Sequence, residues 1–124
     1  MSISRFGKGP RMSQAVLWNG QLLSSAQVAK DLELDIAGQT RQVLEKIDAL
    51  IAEAGLRQEH ILSCNVWLSD ITDYAEFNKM WDAWISKDSP PTRVCIETKF
   101  SSPKIKVEMQ AFAVASQQEE EPCQ

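Results

Sequence analysis

The segment SPPTRVCIETKF, residues 89–100, carries the residues that are best suited to chemistry. Arg93 stands at the start of a β-branched run that follows two prolines, and Cys95 lies two positions later. A guanidinium group can hold a carboxylate through two parallel hydrogen bonds, or it can remain a solvated or salt-bridged charge. The local sequence leaves both interpretations open, so the elements around Arg93 must decide where its side chain points.

Length and charge limit the classes of protein to consider. The chain has 124 residues, which is enough for one compact domain with a hydrophobic core. We assign residues 1–115 to that domain and residues 116–124 to a disordered acidic tail. The net charge of −4 and the pI of about 5.0 argue against a nucleic-acid partner, because phosphate contacts need clustered lysine and arginine.

The cysteines and the hydropathy indicate a cytoplasmic protein without a membrane partner. Cys64, Cys95 and Cys123 are odd in number and widely spaced, so we expect no disulfide framework. No apolar run approaches the roughly 20 residues of a membrane helix, and the N-terminus lacks the apolar region of a signal peptide. No spacing of histidine, cysteine and carboxylate residues indicates a metal site.

Hydrophobic periodicity predicts two helices, over residues 35–54 and 72–85, each with one apolar face. The Asn19-Gly20 pair between two apolar runs predicts a β-hairpin. Strands are expected near residues 14–18, 21–26, 61–68, 92–99 and 105–114. The order β-β-α-β-α-β-β indicates an α+β fold, a two-layer sandwich with both helices on one face of the sheet.

Strand alternation predicts where Arg93 points. Val94 and Ile96 share one face of their strand, and Arg93 lies on the other. If the last two strands form a hairpin, their apolar faces meet the helices, and Arg93 and Glu108 lie together on the helix-free face. Aromatic and charged residues mixed on that face indicate a subunit interface. We therefore expect an oligomer with Arg93 and Glu108 at or near the junction.

A polar residue interrupts the apolar stripe of the second helix. Asn78 follows Tyr74 by four residues and precedes Trp81 by three, so all three lie on one helical face. A buried amide needs a hydrogen-bond partner. Asn78 therefore either bonds to nearby backbone or lines a cavity.

The segment PPTRVCIETKF…KVEMQAFAV resembles the C-terminal signature of the RidA family, also called YjgF or reactive intermediate deaminase proteins. The order of elements, the helix ending EAGL and the segment NVWLSDITDYAEFN are also similar to that family. The resemblance implies a chorismate-mutase-like fold with a mixed sheet, formed by a single RidA-like domain. It also implies a homotrimer with three clefts between subunits.

The function that the resemblance implies is hydrolytic deamination. The substrates would be enamines and imines of small carboxylates, such as 2-aminoacrylate, which give 2-keto acids and ammonia without a metal or cofactor. Arg93 falls on the arginine that holds the substrate carboxylate, and Glu108 on the glutamate that positions or activates water. Cys95 and Asn78 fall on further positions of the cleft.

Two positions depart from the pattern of the family. Arg11 replaces the tyrosine after the N-terminal Gly-Pro, and Ala26 replaces a glycine directly after Ser25. Arg11 adds a positive charge and Ala26 narrows the site by a methyl group, and we assign both to the substrate-binding set with Ser25. They favour either a different carboxylate, such as a dianionic one, or binding without turnover. A non-catalytic carboxylate-binding or regulatory trimer is therefore the alternative, and an endoribonuclease ranks third.

Overall fold

The computed structural model describes residues 2–116, so the predicted acidic tail lies outside it except for Ser116. The strands form one mixed sheet and comprise β1 (Ser4–Phe6), β2 (Ala15–Trp18), β3 (Gln21–Ser24), β4 (Gln27–Val28), β5 (Ile61–Leu68), β6 (Thr92–Glu97) and β7 (Val107–Val114). Two helices, α1 (Ile36–Glu53) and α2 (Tyr74–Trp84), pack against this sheet on one face. The predicted α+β class and two-layer arrangement are confirmed.

The order of the strands differs from the simplest expectation. It runs β1-β2-β3-β7-β5-β6, with β4 also paired to β7, and only β5 and β6 are parallel. The prediction of a hairpin from the last two strands is wrong, because β5 lies between β6 and β7. The connection over residues 98–106 crosses the end of β5, where the Thr98 N–H donates to the Leu68 carbonyl. β6 is therefore an edge strand.

Two short strands were not predicted, and each extends the sheet locally. β1 pairs with β2 in antiparallel register. Between β3 and β4 the Ser24 hydroxyl accepts the Ala111 N–H at 2.9 Å, in place of a backbone carbonyl. The chain can therefore bulge before β4 pairs with β7 again. The predicted hairpin is confirmed, and Asn19 and Gly20 have the positive φ angles, 53° and 75°, of a tight turn.

Capping residues define the ends of α1, close to the predicted bounds. The Asp35 carboxylate accepts the Gly38 N–H at 2.9 Å, and Gly55 follows the helix with a φ of 81°. The helix buries one face, which includes Ile36, Val43, Leu44, Ile47 and Ile51. Because these side chains meet the buried residues of β5 and β7, the core lies between the helices and the central strands.

The opposite face of the sheet has no helix on it within residues 2–116. Along β7, Val107 and Met109 are fully buried, whereas the alternate residues Glu108 and Phe112 are only half-buried. Large apolar side chains are exposed on this side, namely Trp18, Leu23, Val94 and Ile96. Large apolar side chains left exposed on one face of a sheet are typical of a surface that another chain covers.

Candidate active site

Arg93 lies at the edge of the sheet, under the N-terminal half of α2. Its Nη1 donates to Asn78 Oδ1 and its Nη2 donates to the Tyr74 hydroxyl, both at 2.9 Å. The guanidinium carbon is 4.9 Å from the ring centre of Trp81, 5.8 Å from Phe77 and 5.6 Å from Tyr74. The electron-rich faces of these rings stabilise the cation. We call Arg93, Asn78 and Tyr74 the arginine cradle.

The predicted orientation of Arg93 is wrong. Arg93 faces the helices, and Val94 and Ile96 are 53% and 48% exposed on the other side. The prediction assumed that Val94 and Ile96 had to reach the core. At an edge strand, however, a long arginine can cover the aromatic rings with its stem while its charged end stays near the surface. Ile96 and Glu108 both pair with Trp67, so Glu108 lies on the face opposite Arg93.

The Asn78 amide bonds to a side chain and not to the nearby backbone. Its side-chain oxygen accepts a hydrogen bond from Arg93, which helps to hold the arginine in place. The ion pairs formed within residues 2–116 do not include Arg93, so no carboxylate of that part of the chain neutralises its charge. A positive group with oriented hydrogen-bond donors and no internal counterion can receive an external anion.

Cys95 lies on the same side of β6 as Arg93 and packs against the core. Burial raises the pKa of its thiol, and the nearby guanidinium of Arg93 offsets only part of that effect. In the neighbouring strand, burial raises the pKa of Cys64 to about 12. Both groups are therefore protonated thiols at neutral pH, which suits packing and not nucleophilic attack.

A groove of about 430 Å³ lies on the helix-free face around Glu108. It is lined by Ala26, Trp67, Thr98, Lys99, Phe100, Ser101 and Glu108. Two residues that the sequence assigned to the site, Ala26 and Glu108, thus lie in one cavity. Burial raises the pKa of the Glu108 carboxyl above its ordinary value, which brings it closer to a useful range for proton transfer at neutral pH.

The other two predicted site residues lie elsewhere in the single chain. The Ser25 hydroxyl donates to the Ser13 carbonyl at 2.7 Å, so it ties two loops together. Arg11 is exposed in the connection between β1 and β2, and β1 is at the opposite edge of the sheet from β6. One chain therefore does not bring Arg11 and Ser25 to the arginine cradle.

Three residues near the arginine cradle or the groove around Glu108 were not assigned to the site from the sequence. Tyr74 shares its helical face with Asn78, and this spacing could have placed both against one ligand. Trp67 on β5 pairs directly with Glu108 on β7. This neighbour could be predicted only from the order of the strands in the sheet. Phe100 follows β6 in the long connection, and no sequence pattern indicates that it returns to the groove.

Among residues 2–116, no group of three or more histidine, cysteine or carboxylate side chains could hold a metal ion. No helix in the same part of the chain is long and apolar enough to cross a bilayer. The groups of the candidate site that could bind an anion or exchange a proton are the guanidinium of Arg93 and the carboxyl group of Glu108.

The chain is a small α+β domain with two candidate half-sites, namely the arginine cradle at the sheet edge and the groove around Glu108 on the uncovered face. A family model described as Endoribonuclease L-PSP matches residues 4–115. This chain belongs to that family, which is the RidA/YjgF family.

Similar proteins cover nearly the whole chain. A RutC family protein from Haemophilus ducreyi is 34% identical over 116 residues, which is 94% of this chain and 99% of the relative. The solved structure of a YjgF family member from Neisseria meningitidis is 39% identical with a TM-score of 0.90, and covers 94% of this chain and 98% of that one. The 2-iminobutanoate/2-iminopropanoate deaminase of Escherichia coli is 26% identical over 115 residues, 91% of this chain and 89% of the enzyme.

Proposed function

We propose that this protein hydrolyses enamines and imines of small carboxylates to 2-keto acids and ammonia. The observation that carries the proposal is the arginine cradle, in which Arg93 is held by Tyr74 and Asn78 with no carboxylate partner in residues 2–116. A carboxylate is the planar anion that a guanidinium group binds best. The similarity to an imine deaminase supports the choice of substrate.

The proposal includes a homotrimer with three clefts between subunits. Within one chain Arg93 and Glu108 lie on opposite faces of the sheet, so they do not reach the same small molecule. A cleft that combines Arg93 of one subunit with Glu108 of its neighbour would join the two half-sites. The exposed Val94 and Ile96 beside them would then be buried, which supports such an interface.

In this cleft each half-site has a separate role. Arg93 binds the carboxylate of the imine and fixes the position of the adjacent carbon. Glu108 accepts a proton from a water molecule, whose oxygen bonds to that carbon while the C=N electron pair moves to nitrogen. Nitrogen takes up the proton held by Glu108, which gives a carbinolamine. The proton of its hydroxyl group then passes to nitrogen by way of Glu108, the C–N bond breaks, and ammonia leaves as the keto group forms. An enamine first gains a proton at its terminal carbon and loses one from nitrogen, which gives the imine.

Binding without turnover is the second candidate function. It is favoured because the arginine cradle is complete in one chain, whereas the groove around Glu108 is on the other face and is lined by Ala26, where the family pattern has a glycine. This alternative predicts 2-keto-acid binding that depends on Arg93 and no deamination. An endoribonuclease remains the third candidate, and the acidic pI of about 5.0 argues against it.

The test of the proposed function is the release of 2-keto acid from 2-aminoacrylate and several other amino-acid-derived imines. We expect the purified protein to accelerate release over buffer. Glu108→Gln should lower kcat about 100-fold or more, because general base catalysis contributes at least that much.

Glu45→Gln, an exposed substitution of the same type on α1, is the matched control and should retain full activity. Failure of the wild-type protein to accelerate any of the imines would refute deamination. Tight 2-keto-acid binding in the same preparation would then favour the non-catalytic candidate. A parallel incubation with RNA tests the endoribonuclease.

A further inference from the structure

Tyr74 offers a hydrogen-bond donor that no other residue within 2–116 uses. Its hydroxyl oxygen accepts from Arg93 Nη2 at 2.9 Å. A phenol group both accepts and donates, so the O–H proton of Tyr74 is directed elsewhere. Within residues 2–116 the hydroxyl contacts no acceptor, and the residue is 42% exposed. The proton is therefore free to bond to an external group.

The other residues of the arginine cradle are arranged in the same way. Asn78 turns its oxygen to Arg93 at 2.9 Å, so its NH₂ group is left as a donor. A guanidinium group carries five N–H donors, and only two of them contact Asn78 and Tyr74. The acceptor oxygens of Tyr74 and Asn78 are both occupied by Arg93, which itself has no acceptor. All three side chains therefore present hydrogen-bond donors around one positive charge. A cluster of donors without acceptors is suited to an anion.

We infer that Tyr74 is a direct ligand-binding residue, whose hydroxyl donates to the same carboxylate that Arg93 binds. This inference rests on the proposed function, because it concerns the carboxylate of the same substrate. A carboxylate has two oxygens with about four lone-pair sites, so it can accept from the guanidinium and from the phenol together. The ligand class is a small 2-oxo or 2-imino carboxylate.

Tyr74→Phe isolates the contribution of the hydroxyl. The phenyl ring can still lie beside the Arg93 guanidinium, which is 5.6 Å from the ring centre, while the O–H donor is lost. We expect about tenfold weaker binding of 2-oxobutanoate in calorimetry, the loss typical of one hydrogen bond to a charged group. In the deaminase assay KM should rise by a similar factor with kcat nearly unchanged.

Trp84→Phe is the matched control. It removes an aromatic donor from the same helix, but that donor contacts Asp48 at 3.0 Å and not the cradle. Its affinity for 2-oxobutanoate should equal that of the wild type. Arg93→Ala should abolish binding.

Tyr74 is also the single tyrosine of the chain, so a ¹³C label on the phenol carbon gives one assignable resonance. We expect this resonance to shift on addition of 2-oxobutanoate to the wild type and to stay constant in Arg93→Ala. Equal affinity of wild type and Tyr74→Phe would overturn the role of Tyr74 and leave the proposed function intact. Absence of 2-oxobutanoate binding by the wild type would refute the proposal that Arg93 binds a carboxylate.

Discussion

At the scale of single residues, the two charged groups of the proposed site lie in different electrostatic environments. Arg93 is surrounded by ring faces and by two hydrogen-bond acceptors, all of which interact favourably with a positive charge. Glu108 is half-buried in a groove beside Trp67, and burial disfavours its charged form. The arginine is thus suited to hold an anion, and the glutamate to exchange a proton.

The pH dependence of the reaction should report the environment of Glu108. Because burial raises its pKa above the ordinary value for glutamate, the carboxylate form is lost at a higher pH than for an exposed glutamate. In the proposed mechanism the carboxylate is the base, so kcat/KM should fall as the pH is lowered through the raised pKa. A pH series of kcat/KM measures this acid limb. Glu45→Gln should keep the limb, and a limb that persists unchanged in Glu108→Gln would assign it to another group.

At the scale of elements, one buried glutamine connects α1 to the connection that lines the groove. The Gln39 amide nitrogen lies 3.0–3.1 Å from the carbonyl oxygens of Leu32, Leu34 and Lys104, and its oxygen accepts the Lys106 N–H at 3.0 Å. Gln39 is fully buried, so these contacts replace water for four backbone groups. The side chain therefore holds residues 98–106 in place, with Lys99 and Phe100 toward the groove.

Replacing Gln39 with leucine should destabilise this arrangement strongly. The substitution leaves four partly buried backbone carbonyl and N–H groups without these partners, and we expect the free energy of unfolding to fall by about 3 kcal/mol. Urea unfolding followed by circular dichroism measures the change. Gln42→Leu, which removes only a contact to the Asp31 N–H near the surface, should cost less than about 1 kcal/mol. An equal decrease in the free energy of unfolding of the two variants would show that the Gln39 hydrogen bonds contribute no more than the surface contact of Gln42.

At the scale of the whole molecule, the helix-free face carries large apolar side chains that stay exposed in a single chain. Exposed Leu23, Val94 and Ile96 share this face with the groove around Glu108. Burying such side chains between subunits contributes favourable free energy, roughly 25 cal/mol for each Å² of apolar surface. The proposed trimer would therefore gain stability and complete the site through the same contact.

A mixture of two inactive variants tests whether the site is shared between subunits. Arg93→Ala and Glu108→Gln should each be inactive alone. When the two are unfolded together and refolded at equal concentration, clefts with both intact residues should form, giving about a quarter of wild-type activity. Keto-acid release measures the recovery, and sedimentation measures the oligomer. A mixture that stays inactive while sedimenting as a trimer would refute a cleft shared between Arg93 of one subunit and Glu108 of its neighbour.

Much of the fold follows from local patterns. The 3.6-residue periodicity and the Asp35 and Gly55 caps define α1, and Asn19-Gly20 defines the hairpin, because each signal lies within a few residues. The short strands β1 and β4 have too few residues to show alternation. The position of β5 between β6 and β7 depends on pairing between distant segments, so neighbouring strands in sequence were wrongly paired.

The candidate site also has features that the sequence determined and features that only the tertiary structure decided. Residue types and order by themselves indicated an arginine and a glutamate on strands, an asparagine on an apolar helical face, and a family to which the chain belongs. Only the tertiary structure decided that Arg93 turns to Tyr74 and Asn78 while Glu108 faces the opposite side. The physical reason is that alternation defines two faces of a strand, but the sheet order and the neighbouring helix decide which face meets the core.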